Sequence, residues 1–185
     1  MSEILYQSNR IRKMTYIGIM SVLIIICSWI NIPGAIPFSL QTFAIYFGLW
    51  LLGGKLTTYS LLVYLLMGII GLPVFAGFRG GVGVLMGPTG GYICGFIVMT
   101  GLIWGYERVK RNVSDKEKVF LIILGTIICY AIGTVWYFVV MRTPVERESI
   151  ISVLMICVVP YLIPDAAKMI FAKIIGKRVY KAISR

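Results

Sequence analysis

GLPVFAGFRGGVGVLMGPTGGY, residues Gly71 to Tyr92, holds eight glycines and two prolines among apolar side chains, with Arg79 as its one charge. A solvated turn region is more polar than this, and a membrane-crossing helix carries far less glycine. The stretch reads as irregular backbone beside a membrane. Such backbone persists only where protein buries it or where it lines a cavity. The surrounding chain supports a membrane setting, being 59% hydrophobic and only 14% charged, with mean hydropathy +0.91. One crossing takes roughly 17–25 apolar residues, so a chain of this length has room for about six crossings and almost no extramembrane domain.

Apolar runs place helices at about 14–32, 39–53, 55–72, 90–107, 119–141 and 164–182. The arm SEILYQSNRIRK is polar and no small-residue cleavage motif follows the first apolar run, so that run reads as a mature span. Pro160 and Pro164 interrupt the last run. A start at Pro164 puts proline at the first helical position, where no N–H is needed; a continuous kinked helix through both prolines is the alternative. With a cytoplasmic N-terminus, fourteen of the eighteen Lys and Arg residues fall on the inner side, and Arg79, Arg142 and Arg147 on the outer. That asymmetry follows the positive-inside rule. The expectation is an all-α, polytopic integral membrane protein, a single domain over residues 1–185. It has six transmembrane helices, both termini in the cytoplasm, and the glycine-rich loop outside between the third and fourth helices. The net charge of +11 then belongs to topology and membrane lipid rather than to nucleic acid.

Several chemistries are excluded by residue type. The chain has no histidine, which removes the commonest general base and metal ligand. Cys27, Cys94, Cys129 and Cys157 each stand alone in apolar runs without metal-ligand spacing, and read as small hydrophobes. No GxxxxGK[ST] phosphate loop is present, and a channel would present repeated rings of polar or charged groups. The chain is not expected to be an enzyme.

The eighteenth basic residue, Lys168, lies inside the last apolar run, three residues after Asp165. Charges at membrane depth cost roughly 2.5–3.5 kcal/mol on insertion scales, so they mark function or a mutual partner. At i, i+3 the two share a helix face. They form either a self-satisfied ion pair that fixes packing, or a donor and an acceptor presented together to a polar solute. In this topology PFSLQT, GPTGGY and IPDAAK all open helices on the outer side, where free backbone N–H groups and the dipole favour an anion. Ser39, Gln41, Thr42 and Thr89 are read there as caps or ligands, with capping the leading role for Ser39. In the loop, Gly77, Gly80, Gly81, Gly83, Gly87, Gly90 and Gly91 allow close backbone approach to a solute. Val74, Phe75, Phe78, Val82, Val84, Leu85 and Met86 would cover it.

Residues Pro37 to Phe96, with GLPVFAG and GVLMGPTGGY, and PYLIPDAAK at Pro160 to Lys168, resemble the BioY family. These are the biotin-specific substrate-binding subunits of energy-coupling-factor (ECF) vitamin transporters. The resemblance implies high-affinity capture of biotin from outside as the transported substrate, with no cofactor on this chain. It implies a transmembrane coupling subunit and two cytoplasmic ATPase subunits as partners, ATP being bound only by the latter. Matched to the family, Asp165 faces the ureido N–H groups, while Lys168 holds Asp165 ionised or reaches a ligand oxygen. Gly80, Gly81, Gly87, Thr89, Gly90 and Gly91 fall on the family's loop positions. Gln41, Thr42 and Tyr92 are further contacts, and Phe75, Phe78 and Val84 are wall or lid. Arg79 is either the partner of the ligand carboxylate or a solvated loop charge. The family's small-xxx-small docking pattern on the first helix aligns with Gly18 and Val22, and Val22 departs from it. Two other functions stay open at this point: capture of another small vitamin, and a non-catalytic membrane assembly protein whose Asp–Lys pair is structural.

Overall fold

The computed structural model describes residues 10–33, 38–110, 112–141 and 158–183. Its helices are α1 (Arg10–Trp29), α2 (Gln41–Ile69), α3 (Val82–Leu85), α4 (Gly90–Val109), α5 (Asp115–Met141) and α6 (Val159–Ile183). A two-residue antiparallel ribbon, β1 (Asn31–Ile32) with β2 (Phe38–Ser39), joins α1 to α2.

α2 is two helices in one. Gly53 inside it has φ 79° and ψ 175°, a left-handed φ that a Cβ disfavours. On a straight helix Gly48 and Thr57 would stand about 13.5 Å apart, yet a Cβ on Gly48 would lie 3.0 Å from the Thr57 methyl. The arms 41–52 and 54–69 are therefore antiparallel, folded at Gly53. The first N–H past the fold, that of Gly54, donates to Glu107 Oε2 on α4 at 2.7 Å, so α4 supplies the partner that the broken helix lacks.

Three boundaries differ from the sequence expectation. α1 starts at Arg10 and gives way to the ribbon at Asn31. A strand of two residues is too short to show an alternating pattern. α5 starts at Asp115 because SDKE forms a reciprocal cap: Glu117 N–H donates to Ser114 Oγ and Ser114 N–H to Glu117 Oε2. α6 runs from Val159 through both prolines and does not begin at Pro164; the earlier part of the continuous-helix alternative lies outside the described residues. Pro160 sits in the first turn, where N–H groups have no partner anyway, and Pro164 forgoes only the bond to the Pro160 carbonyl. Arg142, Arg147 and Cys157 lie outside the described residues.

The core centres on the α2 hairpin, with Ala44, Ile45, Tyr46, Leu49 and Trp50 from its first arm and Leu61 and Tyr64 from its second. Around it pack α1, α4 and α6, and α5 pairs with α4. Small residues allow that last approach: a Cβ on Gly95 would meet Cys129, and one on Gly125 would meet Met99. The outside is apolar, with Ile19, Ile127, Val139 and Ile163 all exposed. The unbroken helical stretches Arg10–Trp29 and Asp115–Val140 are each long and apolar enough to cross a membrane. This is the surface of a membrane protein. Gly18 and Val22 both face outward on α1, and a Cβ on Gly18 would meet open space. Cys27 and Cys129 are buried and Cys94 exposed, all three unpaired.

Candidate ligand-binding site

Asp165 and Lys168 sit one turn apart on α6, both buried, with Lys168 Nζ 2.8 Å from Asp165 Oδ1. They are joined by residues from two other elements. Thr42, in the first turn of α2, donates to Asp165 Oδ1 at 3.0 Å and accepts from Lys168 Nζ at 3.0 Å. Tyr130 on α5 donates to Asp165 Oδ2 at 2.6 Å. Lys168 also donates to the Ser39 carbonyl at 2.7 Å and lies 4.0 Å over the Phe38 ring. The β1–β2 ribbon sets both of those partners in place.

Counting donors and lone pairs says what this cluster offers a ligand. An ammonium has three N–H groups, and those of Lys168 go to Ser39, Thr42 and Asp165. With all three committed, Lys168 is turned inward onto Asp165 and Thr42 and has no N–H left for a ligand. Oδ1 already accepts two hydrogen bonds, whereas Oδ2 accepts one. Asp165 Oδ2 and the Tyr130 oxygen are thus left to accept from a ligand. Asp165 lies six residues into α6, so its anion is held by side chains and not by the helix end.

The cavity that this cluster closes is lined from α2 by Gln41, Thr42 and Tyr64, and from the loop by Phe75, Ala76, Arg79, Val84 and Thr89. α4 contributes Tyr92, Ile93 and Phe96. Tyr130 on α5, Tyr161, Asp165 and Lys168 on α6, and Phe38 and Ser39 of the ribbon complete it. The wall is mainly aromatic and aliphatic with a few polar groups at one end, the usual make-up of a small-molecule site. Gln41 is 6% exposed, and among the described residues its Nε2 makes no hydrogen bond of good geometry, the Tyr64 phenol being its polar neighbour. A buried donor left unpaired costs about 1–3 kcal/mol, so this one has a use for an acceptor that enters the cavity. Arg79 makes no side-chain hydrogen bond or ion pair among the described residues and lines the same space.

The loop is tied down at both ends. Ser28 Oγ donates to the Val74 carbonyl at 2.6 Å, Trp29 Nε1 to the Pro73 carbonyl at 2.8 Å, and Trp136 Nε1 to the Gly87 carbonyl at 2.9 Å. Phe75 meets Tyr64 edge-on at 5.4 Å between centroids. Inside the loop are the short helix α3 and a bridge between Phe75 and Arg79.

Of the residues singled out in the sequence, Gln41, Thr42, Phe75, Arg79, Val84, Thr89, Tyr92, Asp165 and Lys168 share the cavity wall. Phe78, Gly80, Gly81 and Gly90 do not. Phe78 stacks on Trp29 at 4.9 Å between centroids, away from the cavity. A Cβ on Gly80 would meet the Leu72 carbonyl and one on Gly90 the Leu85 carbonyl, so these glycines let backbone pack on backbone. Gly81 precedes α3 with φ 89° and donates to the Gly68 carbonyl at 2.7 Å. Ser39 is not the N-cap of α2, which is Leu40; its Oγ accepts from Gln41 N–H at 3.3 Å, and its carbonyl accepts from Lys168. Sequence reading missed Tyr130, Tyr161, Tyr64 and Phe38, aromatic residues in apolar runs that carry no local mark of a site.

A family model described as "BioY family" matches residues 2–185. The "Biotin transporter BioY" of Thermotoga maritima is 37% identical over 171 residues, 92% of this chain and 96% of that protein. The "Biotin transporter BioY2" of Lactococcus lactis subsp. cremoris is 33% identical over 181 residues, 96% of this chain and 95% of that protein. Among solved structures, the S-component for biotin from an ECF-type ABC transporter superposes with a TM-score of 0.77 at 29% identity. That superposition covers 93% of this chain and 92% of the other. With the family model matched along almost its whole length, the chain belongs to the BioY family.

Proposed function

We propose that this chain captures biotin and serves as the substrate-binding component of an ECF-type transporter. The observation that carries the reading is the pairing of unused groups at one end of an apolar cavity: acceptors at Asp165 Oδ2 and Tyr130, and a donor at Gln41 Nε2. A ureido group has two N–H donors flanking a carbonyl acceptor, which complements that set. The bicycle would lie against Phe75, Tyr92, Phe96 and Tyr161, and the valerate carboxylate would face Arg79. On this reading the chain crosses the membrane six times with both termini in the cytoplasm, and the cavity opens outward beneath the Gly71–Tyr92 loop. A coupling subunit would dock on the outward face of α1 at Gly18 and Val22, with two ATPases beneath it. Two relatives named biotin transporters and a solved biotin S-component support the assignment of ligand and transporter class.

Equilibrium binding of labelled biotin to detergent-purified chain tests the reading. Saturable binding below micromolar ligand is the expected result. Its absence at micromolar ligand would leave the Asp–Lys pair a structural one, as in an assembly protein. Displacement of the label by riboflavin or thiamine would reassign the site to another vitamin.

A further inference from the structure

A second cluster of polar groups lies well away from the cavity. On three helices separately it sits 9–12 residues further along, Trp50 from Gln41, Lys118 from Tyr130 and Lys177 from Asp165, which is roughly 13–18 Å at 1.5 Å per residue. Trp50 is 1% exposed, and its indole Nε1 has no hydrogen-bond partner among the described residues. Gly176 on α6 backs directly onto its Cβ. Around its ring stand Lys118, Lys173 and Lys177, each with Nζ 5.5 Å from a ring centroid.

The acids do not balance these cations. Glu107 takes Lys118 at 3.2 Å on Oε1 and the Gly54 N–H on Oε2, and Asp115 takes Lys177. Lys173 meets no carboxylate among the described residues; its recorded contact is the Trp50 ring. The cluster consists of donors, an indole N–H and three ammoniums, with one positive charge left over. Cation–π contact offsets part of the repulsion, but it gives neither the indole N–H nor Lys173 an acceptor. An anion with several oxygens supplies what is missing. The same turns carry exposed apolar side chains, Phe120 on α5 and Phe171 and Ile174 on α6, which suit acyl chains beside a headgroup.

We propose that Trp50, Lys118, Lys173 and Lys177 form a site for a phosphate-bearing anion, occupied by the headgroup of an anionic phospholipid. Basic pockets between membrane helices hold such headgroups through charge and hydrogen bonds together. The site is independent of the biotin reading, since none of the four residues lines the cavity.

Native mass spectrometry of delipidated protein, titrated with phosphatidylglycerol, phosphatidylcholine or inorganic phosphate, tests it. One phosphatidylglycerol should add saturably per chain. Lys173→Gln should weaken that addition about fivefold, the share of one cation near a lipid phosphate, and Lys173→Arg should preserve it. Trp50→Phe keeps the ring and removes the N–H, and should weaken it too. Competition by millimolar inorganic phosphate would mean that the phosphate group alone suffices; failure to compete would mean that the lipid tails are needed. Either outcome keeps the site. Equal addition of phosphatidylcholine, or phosphatidylglycerol addition unchanged in both Lys173→Gln and Trp50→Phe, would overturn it. Monodisperse elution of each variant shows that any loss is not one of folding.

Discussion

Tyr130 on α5 donates its hydroxyl to Asp165 Oδ2 on α6 across 2.6 Å, joining two helices at the charged end of the cavity. The bond orients the carboxylate and leaves the phenol oxygen as a second acceptor beside it. Tyr130→Phe should weaken biotin binding about fivefold, the worth of one hydrogen bond of about 1 kcal/mol, with the protein still purifying intact. Isothermal titration of the variant against the parent measures this. Unchanged affinity would mean that the hydroxyl neither orients Asp165 nor meets the ligand.

Gln41 makes the opposite kind of prediction for stability and binding. Its Nε2 is buried with no hydrogen bond of good geometry among the described residues, so Gln41→Leu, nearly the same in shape, removes a poorly satisfied donor. The empty protein should gain about 1 kcal/mol, read as a raised unfolding temperature. Biotin affinity should fall about five- to tenfold, because the ligand carbonyl loses its donor. A fall in both quantities would mean that Gln41 serves packing alone.

Arg79 lines the cavity, and its guanidinium makes no hydrogen bond or ion pair among the described residues. If it meets the valerate, Arg79→Gln should weaken biotin about tenfold, within the range for a charge-assisted hydrogen bond, and leave biotin methyl ester unaffected. Parallel titrations of acid and ester separate this from a general effect on the loop. Equal losses for both ligands would place Arg79 in loop structure.

Gly53 tests the fold. With φ at 79° and ψ at 175°, Gly53→Ala forces alanine into backbone space that is essentially glycine's own, at a cost of about 1–3 kcal/mol. Its Cβ would also come 3.2 Å from Glu107 Oε2, beside the hydrogen bond that anchors the hairpin. A lowered unfolding temperature, with less change in biotin affinity, is the expected result. An unchanged unfolding temperature would mean that the hairpin tolerates a side chain there.

Charge and glycine made part of this legible in the sequence, whereas proline misplaced the start of α6. Asp165 and Lys168 stood out because ionisable groups in apolar runs are costly, and the loop stood out by its glycines. The six apolar runs correspond to α1, the two arms of α2, α4, α5 and α6. What escaped was long-range or too short to have a pattern. Tyr130 is 35 residues from Asp165, and nothing in its run separates it from a tyrosine facing lipid. The ribbon that delivers Phe38 and the Ser39 carbonyl is two residues long. Gly80 and Gly90 were read as space for a ligand, but the close neighbours are the Leu72 and Leu85 carbonyls. The cap at Ser114 and Glu117 was visible in SDKE, and was masked by the lysines between and after them, which suggested a loop.

The central claim is that the Asp165 carboxyl group, held by Lys168, Thr42 and Tyr130, reads the ureido group. Its most direct test is the dissociation constant of biotin for Asp165→Asn beside that of the unaltered chain, both in detergent and both monodisperse. Asparagine keeps the shape and removes the charge. A loss of about 10- to 100-fold, the span for a hydrogen bond to a charged group, is the predicted result; an unchanged dissociation constant would contradict the account.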